Sequence, residues 1–179
     1  MNLTSAVLYI YLSMPFHNDQ QVAGPNTQNA LSAIIRNQAN KMGQAFINGD
    51  YKIFSHFTNP DIVKMMGGEN RMAQTLAKIA SDMNLKGMMF KSITLGDVSK
   101  IVKSGNELQC TMSQHTEIKL PSGRAISTST LIAISTDGGS NWTFVDTSNK
   151  DLPTIKRILP HLSNAIVIPP QEPPVQYIK

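Results

Sequence analysis

The 179-residue chain has a single cysteine, Cys110, so no disulfide can form within it and its compartment cannot be inferred from disulfide bonds. Charged residues make up only 16% of the chain, and its net charge of +4 comes from scattered basic residues. Lys156 and Arg157 form the only adjacent basic pair, and no basic run alternates with aromatic residues. Because a nucleic-acid-binding surface needs clustered positive charge, we expect no nucleic-acid partner.

Long apolar runs are also missing. The apolar segment at residues 3–14 is shorter than the roughly 20 residues that cross a bilayer, so we expect no transmembrane segment. It resembles the apolar region of a secretory signal peptide, with residues 22–24 as a small-residue cleavage region. However, no Lys or Arg precedes it, since the first basic residue is Arg36. A cleaved signal and a loosely docked leader both remain open, and so do an exported and a cytoplasmic location.

No motif for catalysis, metal binding or phosphate binding identifies a reaction, and the chain has no internal repeats. His115 and Glu117 lie two residues apart in a predicted strand and therefore share a face, but no third metal ligand accompanies them. Cys110 falls at a core position, where a buried thiol is inert. We therefore predict no metal site and no cofactor.

Helical periodicity dominates the first half of the chain. Apolar residues at helical spacing predict a helix over residues 28–48, with Thr27 as its N-cap. Asp50 caps a predicted short second helix, which a proline ends. The short apolar run at residues 62–66 is interpreted as a buried strand, and a third helix is predicted over residues 69–85.

The apolar period changes to two after residue 87, which predicts strands separated by turns. The predicted strands cover residues 88–103, with a kink at Gly96, then 108–120, 125–136 and 141–147, and the predicted turns are at residues 104–106, 121–123 and 137–140. A short helix at residues 153–159 and a proline-rich extended tail complete the chain.

This order of elements predicts an α+β domain at residues 27–150, in which helices pack on one face of a curved antiparallel sheet. Residues 1–26 are interpreted as a leader and linker. Residues 151–179 are interpreted as a C-terminal short helix and a proline-rich tail.

Three short motifs lie between the predicted elements in the first half of the chain. Gly49-Asp50-Tyr51 follows the long helix, Asn59-Pro60-Asp61 precedes the short apolar run, and Gly67-Gly68 opens the third helix. With the order of elements, they resemble the superfamily of nuclear transport factor 2 and ketosteroid isomerase, which includes SnoaL-like proteins. The resemblance covers about residues 27–148. It implies a cone-shaped, cystatin-like fold, in which three N-terminal helices and a curved sheet enclose an apolar cavity.

Members of that superfamily include isomerases, dehydratases, non-catalytic ligand binders and association domains, and they are commonly dimeric. The resemblance places Met42 and Met66 where steroid isomerases carry a tyrosine and a catalytic aspartate. A thioether can neither abstract a proton nor donate one. The chain's ten methionines are interpreted either as flexible core filler or as an adaptable cavity lining. The second interpretation predicts an apolar cavity lined by Met42, Phe46, Phe54, Met65, Met66 and Met112.

A catalytic alternative uses polar residues beside this region. Asp61 is a candidate base, and His56 or Tyr51 is its candidate partner in acid–base chemistry. Each also has a structural interpretation: Asp61 as a turn residue after Pro60, and His56 as a partly exposed residue at a helix end.

Residues 135–142 fit the pattern Ser-X-Asp-X-Gly-X-X-Trp, which resembles the Asp-box hairpin of sialidase propellers. A single copy cannot build a propeller. We expect a structural turn, in which Asp137 accepts backbone N–H groups, Gly138 and Gly139 adopt positive φ angles, and Trp142 folds back over the hairpin. Contact of this loop with calcium or a sugar is the alternative.

Three functions therefore remain open. The leading hypothesis is a non-enzymatic domain that binds a small apolar molecule, forms a dimer, or does both. The second is an isomerase- or lyase-like enzyme, and the third is a protein-association module without a ligand. For association we expect a homodimer with twofold symmetry, formed through the sheet face that residues 125–136 present.

Overall fold

The computed structural model describes residues 24–148, residue 150 and residues 152–178. The expected signal or leader segment at residues 3–14 lies outside the described residues. The described chain is an α+β domain whose N-terminal helices pack on a curled antiparallel sheet. Its helices are α1 (Pro25–Asn48), α2 (Tyr51–Phe57), α3 (Pro60–Met65), α4 (Glu69–Leu85) and α5 (Leu152–Ile158).

The sheet is organised around one long hairpin. Its strands are β1 (Met89–Leu95), β2 (Val102–Ser104), β3 (Glu107–Leu120), β4 (Gly123–Ser135), β5 (Thr143–Asp146) and β6 (Val175–Ile178). Strands β3 and β4 pair along their whole length, from Leu108 opposite Ser135 to Leu120 opposite Gly123. The order is β1-β3-β4-β5, with β2 also pairing with β3 and β6 with β4, always antiparallel.

The inner face of the sheet forms the main core. Residues two apart along a strand share a face, so Leu108, Cys110 and Met112 of β3 all point toward α1. The other buried members of this cluster come from α1, β4, β5 and the loops before β2 and β5: Ile35, Ala39, Met42, Ile101, Leu131, Ala133, Trp142 and Phe144.

The outer face of the sheet carries a second core at one end. The C-terminal segment, residues 152–168, crosses this end and buries its own apolar residues against the sheet. The buried cluster comprises Val102, Ile132, Ile134, Val145, Ile155, Leu159, Leu162 and Ile166. Gln109 is fully buried beneath the segment, where it donates to the His161 carbonyl at 3.0 Å and accepts from the Ser163 N–H at 2.8 Å.

The covered outer face corrects one expectation about association. The face of residues 125–136 cannot be wholly free for a second chain, because Ile132 and Ile134 are buried under the C-terminal segment. The half of β4 near the β3–β4 turn remains accessible, with Arg124 and Thr128 exposed on the outer face. Any pairing of two chains through this sheet is confined to that half.

Residues 62–66 do not form the expected buried strand. They lie mostly in α3, which begins at Pro60 with Asn59 as its N-cap; the Asn59 side chain accepts from the Asp61 N–H at 3.0 Å. Proline at the first helical position and asparagine at the cap both favour a helix start. A short apolar run has no clear period, so the cap decides its conformation.

Several boundaries also differ from expectation. Helix α1 begins at Pro25 with Gly24 as its N-cap, not after Thr27, because proline fits the first helical position. The predicted strand at residues 88–103 is two strands, β1 and β2, separated by an irregular segment from Gly96 onward. The proline-rich tail has no regular secondary structure at residues 169–174 and then adds the unpredicted strand β6. Within the described ranges, no helix has both the length and the apolar composition required to span a bilayer.

Candidate functional site

A pocket of about 130 Å³ lies between the helices and the end of β5. This volume resembles that of an apolar cavity that holds one benzene ring, and it is below the usual range of drug-sized sites. Its walls are mainly apolar, with polar groups at one end. The lining residues are Met42, Phe54, Ile62, Met72, Phe144 and Val145, together with Thr58, Asp146 and Lys150.

Each wall of the pocket is held by a packed element. Met42 lies on the buried face of α1, and Met72 is the buried residue of α4. Phe144 belongs to the inner face of β5. The link between α2 and α3 is tied to the same strand, because the Asn59 N–H donates to the Phe144 carbonyl at 3.0 Å. These contacts hold the Thr58 side of the pocket against β5.

The polar end of the pocket is built around Asp146, the last residue of β5. Its Oδ2 accepts from Gln114 Nε2 at 3.1 Å. Its Oδ1 accepts from the Ser148 N–H at 2.8 Å and from the Ser148 hydroxyl at 2.7 Å. Three hydrogen bonds therefore occupy most of the acceptor capacity of this carboxylate. These hydrogen bonds hold the carboxylate in one orientation at this end of the pocket.

Lys150 closes the same end. Its Nζ donates to the carbonyl of Asp146 at 3.1 Å and to the carbonyl of Ser148 at 3.2 Å. An ammonium has three donors, so these contacts leave one N–H for another acceptor. The pocket thus combines apolar walls with a cationic donor and a bonded carboxylate at one end.

The residues predicted to line a single cavity are spread over the molecule. Met42 and Phe54 line the pocket. Phe46 instead packs among aromatic rings, with centroids 4.9 Å from Phe90 and 5.3 Å from Phe54. Met112 is buried in the main core.

Met65 does not line a cavity, since 68% of its surface is exposed. Met65 lies in helix α3 and not in the expected buried strand, and the helix places its side chain toward solvent. Met66 is the C-cap of α3, is partly buried, and is not among the residues that line the pocket.

The residues considered for catalysis lie outside the pocket. Asp61 is exposed in the first turn of α3. The carboxylate within reach of His56 is that of Glu69, with Nδ1 and Oε1 3.3 Å apart, so the expected pair of His56 with Asp61 does not form. Tyr51 packs edge-on against Phe46 at 5.9 Å, and burial raises the pKa of its phenol above the ordinary value. The structure does not assemble these side chains into one acid–base site.

Cys110 lies at the centre of the main core and is fully buried. Burial raises the pKa of its thiol to about 12, so the reactive thiolate is scarce near neutral pH. His115 and Glu117 share the outer face, where His115 Nδ1 lies 3.0 Å from the Thr128 hydroxyl. No three His, Cys, Asp or Glu side chains in the described part of the chain are grouped so that they could hold a metal ion.

The hairpin between β4 and β5 is held by Asp137. Its Oδ1 accepts from the Ser135 hydroxyl at 2.8 Å and from the N–H groups of Ser140 and Asn141 at 3.1 and 3.0 Å. Its Oδ2 accepts from Asn141 Nδ2 at 2.7 Å. The backbone and side-chain hydrogen bonds from Asn141, with that from Ser135, lower the pKa of Asp137 to about 2. With its acceptor sites occupied, this carboxylate has little capacity left for a calcium ion.

Trp142 and two glycines complete this turn. Gly138 and Gly139 have φ angles of 78° and 99°, a region that side-chain-bearing residues rarely adopt. The indole Nε1 donates to the Gly139 carbonyl at 2.9 Å, and the Trp142 N–H donates to Gln38 Oε1 at 2.8 Å. The tryptophan is therefore both buried under the hairpin and bonded to α1.

Sequence reasoning missed the polar end of the pocket, although strand parity points to it. Gln114 continues the inner-face series of Cys110 and Met112, and Asp146 continues that of Phe144. Polar residues at inward-facing positions are the signal that identifies them.

No protein-family model matches this sequence, and no curated protein matches it.

Proposed function

We propose that the protein binds a small apolar molecule, without converting it, in the pocket between α1, α2, α4 and β5. The observation that carries this proposal is the combination of apolar walls with one carboxylate, Asp146, whose oxygens are already hydrogen-bonded. General acid–base chemistry needs a group that is free to exchange a proton with the substrate. The candidate acids and bases, Asp61, His56 and Tyr51, face other parts of the surface.

We also propose that the fold is the cone of the nuclear transport factor 2 and ketosteroid isomerase superfamily. Helix α1 lying on a curled antiparallel sheet supports this proposal, as does the pocket between helices and sheet. Helix α3 and the C-terminal segment on the outer face are then additions to that cone. On this proposal the pocket corresponds to the cavity that the superfamily uses for ligands.

The pocket sets the size and polarity of the proposed ligand. A volume of about 130 Å³ admits a molecule near the size of one ring, or the apolar end of a longer one. Burial supplies roughly 25 cal/mol per Å² of apolar ligand surface, less the cost of immobilising the ligand. Lys150 favours a ligand with one hydrogen-bond acceptor, such as a ketone or ether oxygen, at the polar end.

Ligand-observed NMR with cyclohexanone and with benzene, followed by calorimetry of any binder, tests this proposal. Met42→Phe should fill the pocket and weaken binding about tenfold, because the ring occupies the ligand's volume. Met65→Leu is the matched control, since it changes an exposed methionine outside the pocket and should leave affinity unchanged. Absence of saturable binding to the wild type, or equal binding by Met42→Phe, contradicts the proposal.

Association through the uncovered half of the sheet is a second function that one observation favours. Val175 of β6 is 55% exposed on the outer face, opposite Ile126 of β4. Sedimentation of the wild type should then show a dimer that Thr128→Arg dissociates, because Thr128 is exposed on the same face. Thr75→Arg, at an exposed position on α4, is the control that should not change the dimer. A monomeric wild type at micromolar concentration rules this function out.

A further inference from the structure

A second cavity, of about 430 Å³, forms a groove beside the turn between β3 and β4. It shares no lining residue with the pocket described above. Five of its lining residues are charged or aromatic: Lys91, Glu117, Lys119, Arg124 and Tyr177. These residues are dispersed in sequence, and only the pairing of β1, β4 and β6 with their neighbours brings them together.

An irregularity in β1 adds Lys91 to the groove. Phe90 pairs with Ile118 and Ser92 pairs with Glu117, so Lys91 is an extra residue without a partner in the ladder. A bulge of this kind redirects a side chain that regular alternation would place elsewhere. Lys119 lies two residues beyond Glu117 on β3, and the two therefore share the outer face.

A glycine allows β6 to form the opposite side of the groove. Gly123 has a φ angle of 150°, and a Cβ atom there would overlap the carbonyl oxygen of Tyr177. Glycine therefore permits β6 to pair directly with the start of β4. The pairing sets Tyr177 opposite Arg124, with the guanidinium carbon 4.8 Å from the ring centroid. Stacking on the ring orients the guanidinium before any ligand arrives.

The groove carries three cationic side chains and one carboxylate. The Glu117 carboxylate does not use all the hydrogen-bond donors of Arg124. Arg124 Nη1 lies 3.5 Å from Glu117 Oε2, and both side chains are partly exposed. A pair of that length at the surface contributes little and exchanges readily. The planar guanidinium offers its other N–H groups in a fork that matches a carboxylate or phosphate.

We propose that this groove binds a small organic anion, in which a carboxylate or phosphate group is joined to a flat apolar body. The anionic group would bond Arg124 and lie near Lys91 and Lys119. The apolar body would lie against the Tyr177 ring and Leu120. The volume of about 430 Å³ falls in the range of small-molecule sites. The proposal is independent of the ligand proposed for the smaller pocket.

Titration of the isotope-labelled full chain with phenyl phosphate, followed by amide chemical shifts, tests the proposal. Saturable shifts should appear at residues 117–124 and 175–178. Benzoate should bind at the same residues if the site accepts any anion on a ring, whereas exclusive binding of phenyl phosphate assigns the site to phosphate monoesters. Benzyl alcohol, which is neutral, should produce no saturable shift. Inorganic phosphate should bind at least tenfold more weakly than phenyl phosphate, since it lacks the apolar body.

Variants distinguish binding in this groove from nonspecific attraction of anions by the positive charge of the protein. Arg124→Gln should weaken phenyl phosphate binding at least tenfold, and Arg124→Lys nearly as much, because lysine lacks the fork. Lys119→Gln should weaken it about threefold while leaving the stacked pair intact. Lys103→Gln is the control: it removes one exposed charge from β2 and should change affinity less than twofold.

Three results would overturn the proposal. The first is the absence of saturable shifts up to about 10 mM phenyl phosphate, a concentration that detects even weak binding. The second is an equal loss of affinity in Lys103→Gln and Arg124→Gln. The third is a set of shifts outside the groove. If Arg124→Gln disturbs the fold, Lys119→Gln replaces it in the second comparison, and an affinity equal to that of the wild type is then the contradicting result.

Discussion

Gln114 Nε2 donates to Asp146 Oδ2 at 3.1 Å and so links β3 to β5, two strands that are not neighbours in the sheet. The intervening strand β4 contributes the Ser129 hydroxyl to the same group of polar side chains. This contact fixes the orientation of the carboxylate at the end of the pocket. A buried amide and a carboxylate that bond each other avoid the penalty of unsatisfied polar groups.

Gln114→Ala should therefore lower the free energy of unfolding by about 1.5–3 kcal/mol, because it removes a hydrogen bond to a charged group. Denaturation in urea measures the loss. Gln74→Ala, at an exposed position on α4, is the matched control and should change stability by less than about 0.5 kcal/mol. Equal midpoints for the wild type and Gln114→Ala would show that the contact contributes nothing to stability.

Trp142→Ala should destabilise the protein by about 3–5 kcal/mol, because a large and almost fully buried side chain is removed from the main core. Trp142→Phe should cost less, since it keeps a ring but loses the bond to the Gly139 carbonyl. The denaturant midpoint should be highest for the wild type, lower for Trp142→Phe and lowest for Trp142→Ala. Both variants lack the indole N–H, so they differ only in packing, and a lower midpoint for Trp142→Phe than for Trp142→Ala would contradict the packing argument.

Asp137 should make stability depend on acid pH. Its carboxyl has a folded pKa of about 2, below its ordinary value of 3.8, so the folded protein binds fewer protons than the unfolded chain between these values. The stabilisation is fully present above the ordinary pKa and disappears as the pH falls through the folded pKa. Thermal melting of the wild type and Asp137→Asn should differ near neutral pH, and the difference should shrink toward pH 2. A constant difference across that range would contradict the assignment.

Truncation should separate the two parts of the C-terminal region. A chain that ends after Ile168 loses β6 and should stay folded, because all four residues of β6 are exposed. A chain that ends after Lys150 also loses α5 and the segment behind it, and so exposes Ile132, Ile134 and Val145. We expect the shorter chain to aggregate or unfold at ordinary temperature. Near-ultraviolet circular dichroism and light scattering distinguish the two outcomes.

Elements with a strong period were predictable from the sequence. Helix α4 spans Glu69–Leu85 as predicted, since its apolar stripe lies between glycines at either end. The β3–β4 hairpin was equally clear, because its strands alternate and the turn at residues 121–123 carries proline and glycine. In contrast, α3 has too few residues to show a period, and the cap at Asn59 decides its conformation.

The candidate sites were harder to predict, because tertiary contacts create them. Asp146 and Lys150 become pocket residues only once α1, α2 and α4 lie over the end of β5. The groove requires an irregular β1 and a strand β6 that follows a proline-rich tail. Neither local propensity nor spacing along the chain contains that information. The inward parity of Gln114 and Asp146 was the one sequence signal available.

The burial of the outer face by the C-terminal segment has a consequence for folding during synthesis. Ile132 and Ile134 leave the ribosome before Ile155 and Leu162, the residues that shield them. The nascent sheet therefore presents an uncovered apolar face until residues 155–166 have been made. Helix α1 faces a similar delay, since Gln38 must wait for Ser140 and Trp142, about a hundred positions later. Contacts this distant along the chain slow folding, and the uncovered face should need protection from aggregation while the chain is being made.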